Sequence, residues 1–391
     1  MRIRRAWIAT ATVGAALLWA LVYGAHDVRA EGQATIRFAT FNAAMNDNEA
    51  GGMIARLEAG DPRAKLAAEV IQRVRPTVLL LQEIDRDDDG KALRIFVEAY
   101  LAVSQNGAEP IAYPHVIYPP SNTGVPTGVD LNGDGAADGP NDAKGFGRHP
   151  GQYAFALLSQ LPLGAPRTFA DLLWRDMPGS LLPTSYYGPE ARGVLPLSSK
   201  THLVVDVATA GGPITVIAAH PTPPVFDDRD NKIDWNGRRN ADEIRLIVDL
   251  LAAPSPDYLV DDTGTAGGVP QGRRVMVMGD LNADPSRGDS RPGAIEQLLK
   301  LPNLYGEAPI SHRGDATADF GGGMRVDYVL PVNHAPVGNR FGVFWPAPQS
   351  PFSALNGASD HRLVWVDVAA DAAAAEPPVP GAIHETPPEV R

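Results

Sequence analysis

A layered α+β domain is the fold class this sequence predicts, and three observations carry it. Residues 34–41 (Ala-Thr-Ile-Arg-Phe-Ala-Thr-Phe) alternate as a strand does, a helical pattern follows, and Thr77 to Leu81 is a nearly unbroken apolar run. Strand-like runs also finish in, or are preceded by, polar side chains: Glu83, His220, Asp280 with Asn282, and the pair Asp360-His361. Polar groups gathered at one rim of a sheet are where α-β enzymes place their chemistry. Finally, no Gly/Ser/Pro linker divides residues 34–368 near their midpoint, which favours one large two-sheet domain over two smaller ones.

Each element has a local reason. Asp61-Pro62 opens a helix with an acceptor at the N-cap and proline at the first helical position. Leu66, Val70, Ile71 and Val74 make its apolar stripe, and Arg75-Pro76 ends it. Ala154 to Ser159 and Ile214 to Ala219 read as strands, the second running into His220. Asn240 with Glu243 has the spacing of a capping box for a helix carrying Ile244, Ile247, Val248 and Leu251. Arg274 to Gly279 is a buried-type strand ending at Asp280, Met324 to Leu330 is a strand bearing Arg325 and Asp327, and Arg362 to Val368 is the last.

Both termini separate from this body. Arg2, Arg4 and Arg5 precede an uncharged run from Ala6 to Gly24, and Val28-Arg29-Ala30 offers a cleavage site before Glu31. Residues 1–30 are therefore expected to export the chain to the periplasm or beyond, as a signal peptide or, if uncleaved, as a membrane anchor through residues 6–24. Residues 369–391, rich in alanine and proline, are expected to form a disordered tail. The 391 residues hold 34 basic and 46 acidic side chains, a formal charge of -12. Setting aside the leader, with four basic residues and one acid, leaves -15. That balance argues against a protein that holds nucleic acid by charge neutralisation, though not against phosphate-ester chemistry through a bound cation. Zero cysteine removes disulfides, thiolate metal sites and cysteine nucleophiles.

Thr40-Phe41-Asn42, Leu80-Leu81-Gln82-Glu83, Gly279-Asp280-Leu281-Asn282, Arg325-Val326-Asp327-Tyr328 and Ser359-Asp360-His361 occur in that order. Together they resemble the endonuclease/exonuclease/phosphatase superfamily of metal-dependent phosphoesterases, which includes DNase I-like nucleases, sphingomyelinases and inositol phosphatases. The resemblance spans nearly all of 34–368 and points to a bacterial exported branch. It implies a four-layer α/β/β/α sandwich, two packed mixed β-sheets flanked by helices.

Phosphodiester cleavage needs a cation near the phosphate oxygens, a group that activates water, and donors for developing charge. Glu83 is a hard anionic ligand suited to Mg²⁺ or Mn²⁺, with Asn42 as a neutral oxygen beside it. The resemblance implies the same metal role for both, with Asp360 as a further, weaker candidate. It implies that Asp280 orients or deprotonates water, that Asn282 donates to the phosphate, that His361 transfers a proton with Asp327 fixing its tautomer, and that His220 contacts the scissile phosphate. A Ser-His-Asp hydrolase is disfavoured because no Gly-x-Ser-x-Gly elbow is present.

Two stretches bear on the substrate. The insert 119–152 contains Asp130, Asn132, Asp134 and Asp138 at loop positions 1, 3, 5 and 9 and Gly135 at 6, most of a Ca²⁺ loop, with Asn141 at position 12 and Asp142 after it. The loop after His220 leads to Arg238 and Arg239, expected to clamp an anion near a helix start, with Lys200 and His202 as weaker candidates. The expectation is thus an exported hydrolase of phosphate esters, most simply phosphodiesters of nucleic-acid, small-molecule or phospholipid-headgroup type. A phosphomonoesterase and a non-catalytic phospho-ligand binder are the alternatives, and no stable protein partner is implied.

Overall fold

The computed structural model describes residues 34–227 and 233–371. The expected leader and residues 372–391 of the expected tail lie outside them. Eleven strands are present among the described residues: β1 (Thr35–Asn42), β2 (Val78–Ile84), β3 (His115–Ile117), β4 (Ala154–Ser159), β5 (Arg167–Thr168), β6 (His202–Val207), β7 (Ile214–Ala219), β8 (Arg274–Asp280), β9 (Asp327–Val332), β10 (Pro336–Val343) and β11 (Val364–Ala369). They form a six-stranded sheet in the order β10-β11-β1-β2-β4-β3 and a five-stranded sheet in the order β5-β6-β7-β8-β9. Each sheet has one parallel pair, β1 with β2 and β7 with β8, and both sheets are therefore mixed.

Alternation along the strands builds the layers. Phe38, Leu80, Phe155 and Leu157 of the first sheet meet Val205, Val216, Met276 and Met278 of the second in an apolar layer between the sheets. The intervening residues Ala39, Phe41, Leu79 and Leu81 face helices α1 (Gly52–Glu58), α2 (Pro62–Val74) and α3 (Lys91–Ile95). On the far side, Val204, Ile217, Val275 and Val277 pack against α4 (Pro189–Val194), α5 (Trp235–Leu251) and α6 (Glu296–Leu299). The architecture is the expected α/β/β/α sandwich. Helix α2 starts as its sequence dictates, with the Asp61 carboxylate accepting from the Arg63 and Ala64 N–H groups, and it ends at Arg75 in a left-handed conformation before Pro76.

Three local readings change. Helix α5 begins five residues before Asn240, so Asn240 and Glu243 lie inside it, fully buried, and cap nothing. The strand read from Met324 starts at Asp327, because Met324 pairs instead with Ala318 in the preceding loop. Strand β11 runs to Ala369, one residue into the expected tail. Strands β3, β5, β6 and β10 were not legible as such. Two are very short, and β10 carries Pro336, Gly338 and Gly342.

Phe38 has no exposed surface, whereas Phe226 is 88% exposed. Phe38→Ala should therefore lower unfolding free energy by about 3–5 kcal/mol in urea titrations, while Phe226→Ala should stay within about 0.5 kcal/mol of wild type. Equal losses would contradict the layer assignment.

Candidate active site

The two parallel pairs bring their carboxyl ends to one rim. β1 ends at Asn42 and β2 at Glu83-Ile84, while His220 follows β7 and Asp280 closes β8. Antiparallel pairing adds the beginnings of two further strands: Asp327 stands opposite Asp280, and His361 precedes β11, whose Val364 stands opposite Thr40. Only glycine fits at 279, because a Cβ there would lie 2.0 Å from the Ala219 carbonyl oxygen. This close approach sets β7 tightly against β8 just before both present their polar residues.

Glu83 occupies a β-bulge. The register between β2 and β4 shifts between Gln82 and Ile84, and Glu83 adopts φ 56°, in the left-handed region. A bulge re-aims the side chain that strict alternation would have placed elsewhere. Asn282 also takes a left-handed φ of 51°, which asparagine tolerates better than most residues. Its N–H donates to Asp280 Oδ1 at 2.9 Å and its amide to the Pro221 carbonyl at 3.1 Å.

Asp280 is the hub of the cluster. Its Oδ2 lies 3.1 Å from Asn42 Nδ2, 3.5 Å from His220 Nε2 and 3.6 Å from His361 Nε2. The same Asn42 nitrogen donates to Glu83 Oε1 at 3.0 Å, and Asn46 donates to Glu83 Oε2 at 2.8 Å. His361 Nδ1–H is directed at both oxygens of Asp327, at 3.0 and 3.1 Å. That contact fixes the ring orientation and leaves Nε2 facing Asp280.

Burial sets the charge states. It pushes Asp280 up to about 6, with the Asp327 charge adding to the effect against the His361 cation. It raises Glu83 as well, against the Asn42 hydrogen bond. Burial alone would lower His361, but the carboxylates of Asp327, Asp280 and Glu83 outweigh it and lift the imidazole to about 10. His220 goes the other way: burial, with the cations Lys200 and His361 nearby, holds it well below its ordinary range. Its Nδ1 is buried without a hydrogen-bond partner among the described residues. Asp280 thus stands between a charged histidine and a neutral one.

The donor set suits a hard divalent cation. Glu83 and Asp280 share one amide donor and both are pushed toward their protonated forms, a strain that such a cation on these oxygens would relieve. Asp280, Asp327 and His361 also each bring a ligand atom within 4.8 Å of the others.

Other expected residues are placed differently. Lys200 is 6% exposed, and among the described residues its ammonium makes no hydrogen bond or ion pair, although Glu243, Glu83 and Asp280 are near enough to oppose the lowering that burial causes. The insert frames it: the Asn122 N–H donates to the Lys200 carbonyl at 3.0 Å, and a Cβ on Gly145 would lie 1.9 Å from the Ser199 oxygen. His202 is buried, with both ring nitrogens held, by Ser198 Oγ at 2.8 Å and the Glu243 carbonyl at 2.9 Å. The Arg239 guanidinium is engaged by the carbonyls of Leu197, Lys144 and Pro196, and Arg238 reaches the Leu181 carbonyl at 3.3 Å. Both lie in the first turns of α5, and the three carbonyls around Arg239 withdraw it from the expected anion clamp. Asp360 is exposed and stands outside the three-residue group.

In the 130–142 loop, Asp130 accepts from the N–H groups of Gly133 and Gly135, Asn132 from that of Asp134, and Asp134 from that of Ala136. Asp142 is buried and binds the N–H groups of Leu131 and Gly139. Asp130, Asp134 and Asp138 do not converge as a group of metal ligands, and the loop is closed by its own backbone.

Some supporting residues had no sequence signal of their own. Gln82 Oε1 accepts from Thr40 Oγ1 at 2.6 Å and from the Asp280 N–H at 3.2 Å, joining the two sheets beneath the site. Asn240 donates to the Thr222 and Leu281 carbonyls, and Glu243 accepts from Ser199 and Thr222, so the misread capping pair anchors the strand-end loops. Gln82 does sit on the inward phase of β2, which marks it as a buried polar residue needing a partner.

The Endonuclease/Exonuclease/phosphatase family matches residues 39–361. The chain belongs to that family, the DNase I-like superfamily of phosphoesterases, and a metal-dependent hydrolase is the class its fold and site define. Similar solved structures include an endonuclease/exonuclease/phosphatase from Beutenbergia cavernae, at 17% identity and TM-score 0.49, covering 87% of this chain and 72% of that one. A family protein from Leptotrichia buccalis has 14% identity and TM-score 0.46, with 85% and 99% covered. Sphingomyelinase C from Streptomyces griseocarneus has 16% identity and TM-score 0.46, with 86% and 99% covered. No curated protein matches the chain.

The two histidines give a direct test. In EDTA at pH 7.5, ¹⁵N-histidine NMR should show His361 as imidazolium and His220 as neutral imidazole. Because the folded pKa of His361 is above its unfolded value, its stabilisation is complete below about 6.5 and is lost as pH rises toward about 10. The stability gap between wild type and His361→Gln should therefore narrow over that window. A gap that widens, or two histidines titrating together near 6.5, would contradict the assignment.

Proposed function

We propose that this chain is an exported, Mg²⁺- or Mn²⁺-dependent phosphodiesterase. The observation that supports it most is Asp280, buried and set between the charged His361 and the neutral His220, beside the Glu83–Asn42 pair. In this reading Glu83 and Asp280 would hold the cation, and Asn42, whose amide nitrogen bridges their carboxylates while its oxygen accepts the Ala44 N–H, orients both. The ion supplies charge neutralisation at the phosphate and lowers the barrier to attack by water. Asp280 orients the water and accepts its proton as the oxygen–phosphorus bond forms. His361 offers its Nε2–H to the phosphate or to the departing oxygen, with Asp327 holding the ring. Lys200, Asn282 and His220 complete the phosphate surroundings.

Among the described residues, Lys200 brings an ammonium with no hydrogen bond or ion pair to this rim, while the Arg239 guanidinium is taken up by carbonyls. With a body at -15, this favours substrates with one phosphodiester centre over a long polyanion. The basic start and apolar run of residues 2–24 support export to the periplasm or the medium.

Turnover of bis(p-nitrophenyl) phosphate should vanish in EDTA and return with Mg²⁺ or Mn²⁺, exceeding turnover of p-nitrophenyl phosphate and of plasmid DNA. Glu83→Gln, Asp280→Asn and His361→Ala should each lose about 10²–10⁴-fold in kcat. Metal-indifferent turnover, or variants within tenfold of wild type, would overturn the reading.

A further inference from the structure

The reading of the site assigns work to Asp327 and His361 but leaves open what holds this pair in place. Thr317 lies in the loop before β9 and has no exposed surface. Its Oγ1 accepts from the N–H of Val326 and the N–H of Asp327, each at 3.0 Å. A threonine hydroxyl has two acceptor lone pairs and one hydrogen. With both lone pairs taken, the hydrogen has two neighbours: Asp327 Oδ2 at 2.8 Å and the Met324 carbonyl at 3.4 Å. The nearer, charge-assisted acceptor wins. The same residue fixes the other partner through its backbone: the Arg362 N–H donates to the Thr317 carbonyl at 2.8 Å, and Ala318 bridges to His361. The next aromatic in the loop, Phe320, packs its ring edgewise on His361, with centroids 5.2 Å apart.

We propose that Thr317 is a positioning residue for the reaction: its hydroxyl orients the Asp327 carboxylate so that it holds His361 Nδ1–H, while its carbonyl sets the backbone that delivers His361. Thr317, fully buried, acts in this role through Asp327 and His361. It rests on the phosphodiesterase reading for its consequence, but its geometry can be examined without turnover. One hydroxyl serves two backbone donors and one carboxylate, so exchange for an isosteric apolar group removes all three contacts while keeping the volume.

The test compares Thr317→Ser, Thr317→Cys and Thr317→Val in the full chain, with bis(p-nitrophenyl) phosphate and Mg²⁺ for kinetics and ¹⁵N-histidine NMR of the metal-free protein for His361. Serine keeps the hydroxyl and should rescue, with kcat within about threefold of wild type and the downfield His361 Nδ1–H resonance retained. Valine should lower kcat about 10–100-fold, the range typical when a partner that orients a functional side chain is removed, with KM within about threefold and the resonance lost. Cysteine, a poor donor, should fall between. Should the valine variant fail to fold, the serine and cysteine pair decides: the same ordering in kcat and resonance supports the proposal. Equal kcat and an unaltered resonance in all folded variants would overturn it, as would an effect confined to KM. If no variant, wild type included, turns over any phosphate ester, the function reading fails, whereas the NMR ordering still decides the role of Thr317.

Discussion

Asp280 ends β8 with 1% of its surface exposed, and an isolated carboxylate in that position would keep its proton through much of the neutral range. Its surroundings follow from that constraint. Gln82 crosses from the opposite sheet to hold its backbone, Asn282 returns an N–H to one oxygen, and Asn42 offers its amide to the other. The two histidines that flank it differ because their own neighbours differ: three carboxylates act on His361, whereas His220 meets burial and two cations. Unlike neighbours therefore separate the charge states of two chemically identical side chains on either side of one buried acid.

Backbone strain is placed at the same rim. Glu83 and Asn282 both occupy the left-handed region, and non-glycine residues there cost of the order of 1–3 kcal/mol each. The apolar layers beneath them supply the rigidity that keeps them so, with Phe38, Leu80, Val216 and Met276 wholly buried between the sheets. Placement on strand ends or within three residues of them gives the functional side chains their precision. The insert contributes differently: closed by its own hydrogen bonds, it packs its backbone against Ser199 and Lys200.

Much of this was legible in the chain itself. Alternation and apolar runs located β1, β2, β4, β7 and β8, and polar residues at their ends marked the rim. Local chemistry also named the start of α2, because Asp61-Pro62 needs no tertiary help to cap a helix. The failures share a cause. Asn240 and Glu243 have the spacing of a capping box, but buried loop amides and carbonyls claim them instead, so the helix starts earlier. Arg239 reads as an anion ligand until three carbonyls are found around it. Thr317 and Gln82 act only through residues distant in sequence, Asp280 lying 198 positions beyond Gln82. Pattern within a window carries no information about such pairs.

The central claim is a division of labour, with the cation held on the Glu83–Asn42 side of Asp280 and the proton handled on the Asp327–His361 side. Mn²⁺ titration followed by electron paramagnetic resonance separates these sides without any substrate. Wild type and Asp327→Asn should bind with affinities within about tenfold of each other, while Glu83→Gln should lose 10–100-fold or more, as expected when an anionic ligand of a hard cation is neutralised. Binding that survives Glu83→Gln but is lost in Asp327→Asn would place the cation among Asp280, Asp327 and His361 and contradict the account.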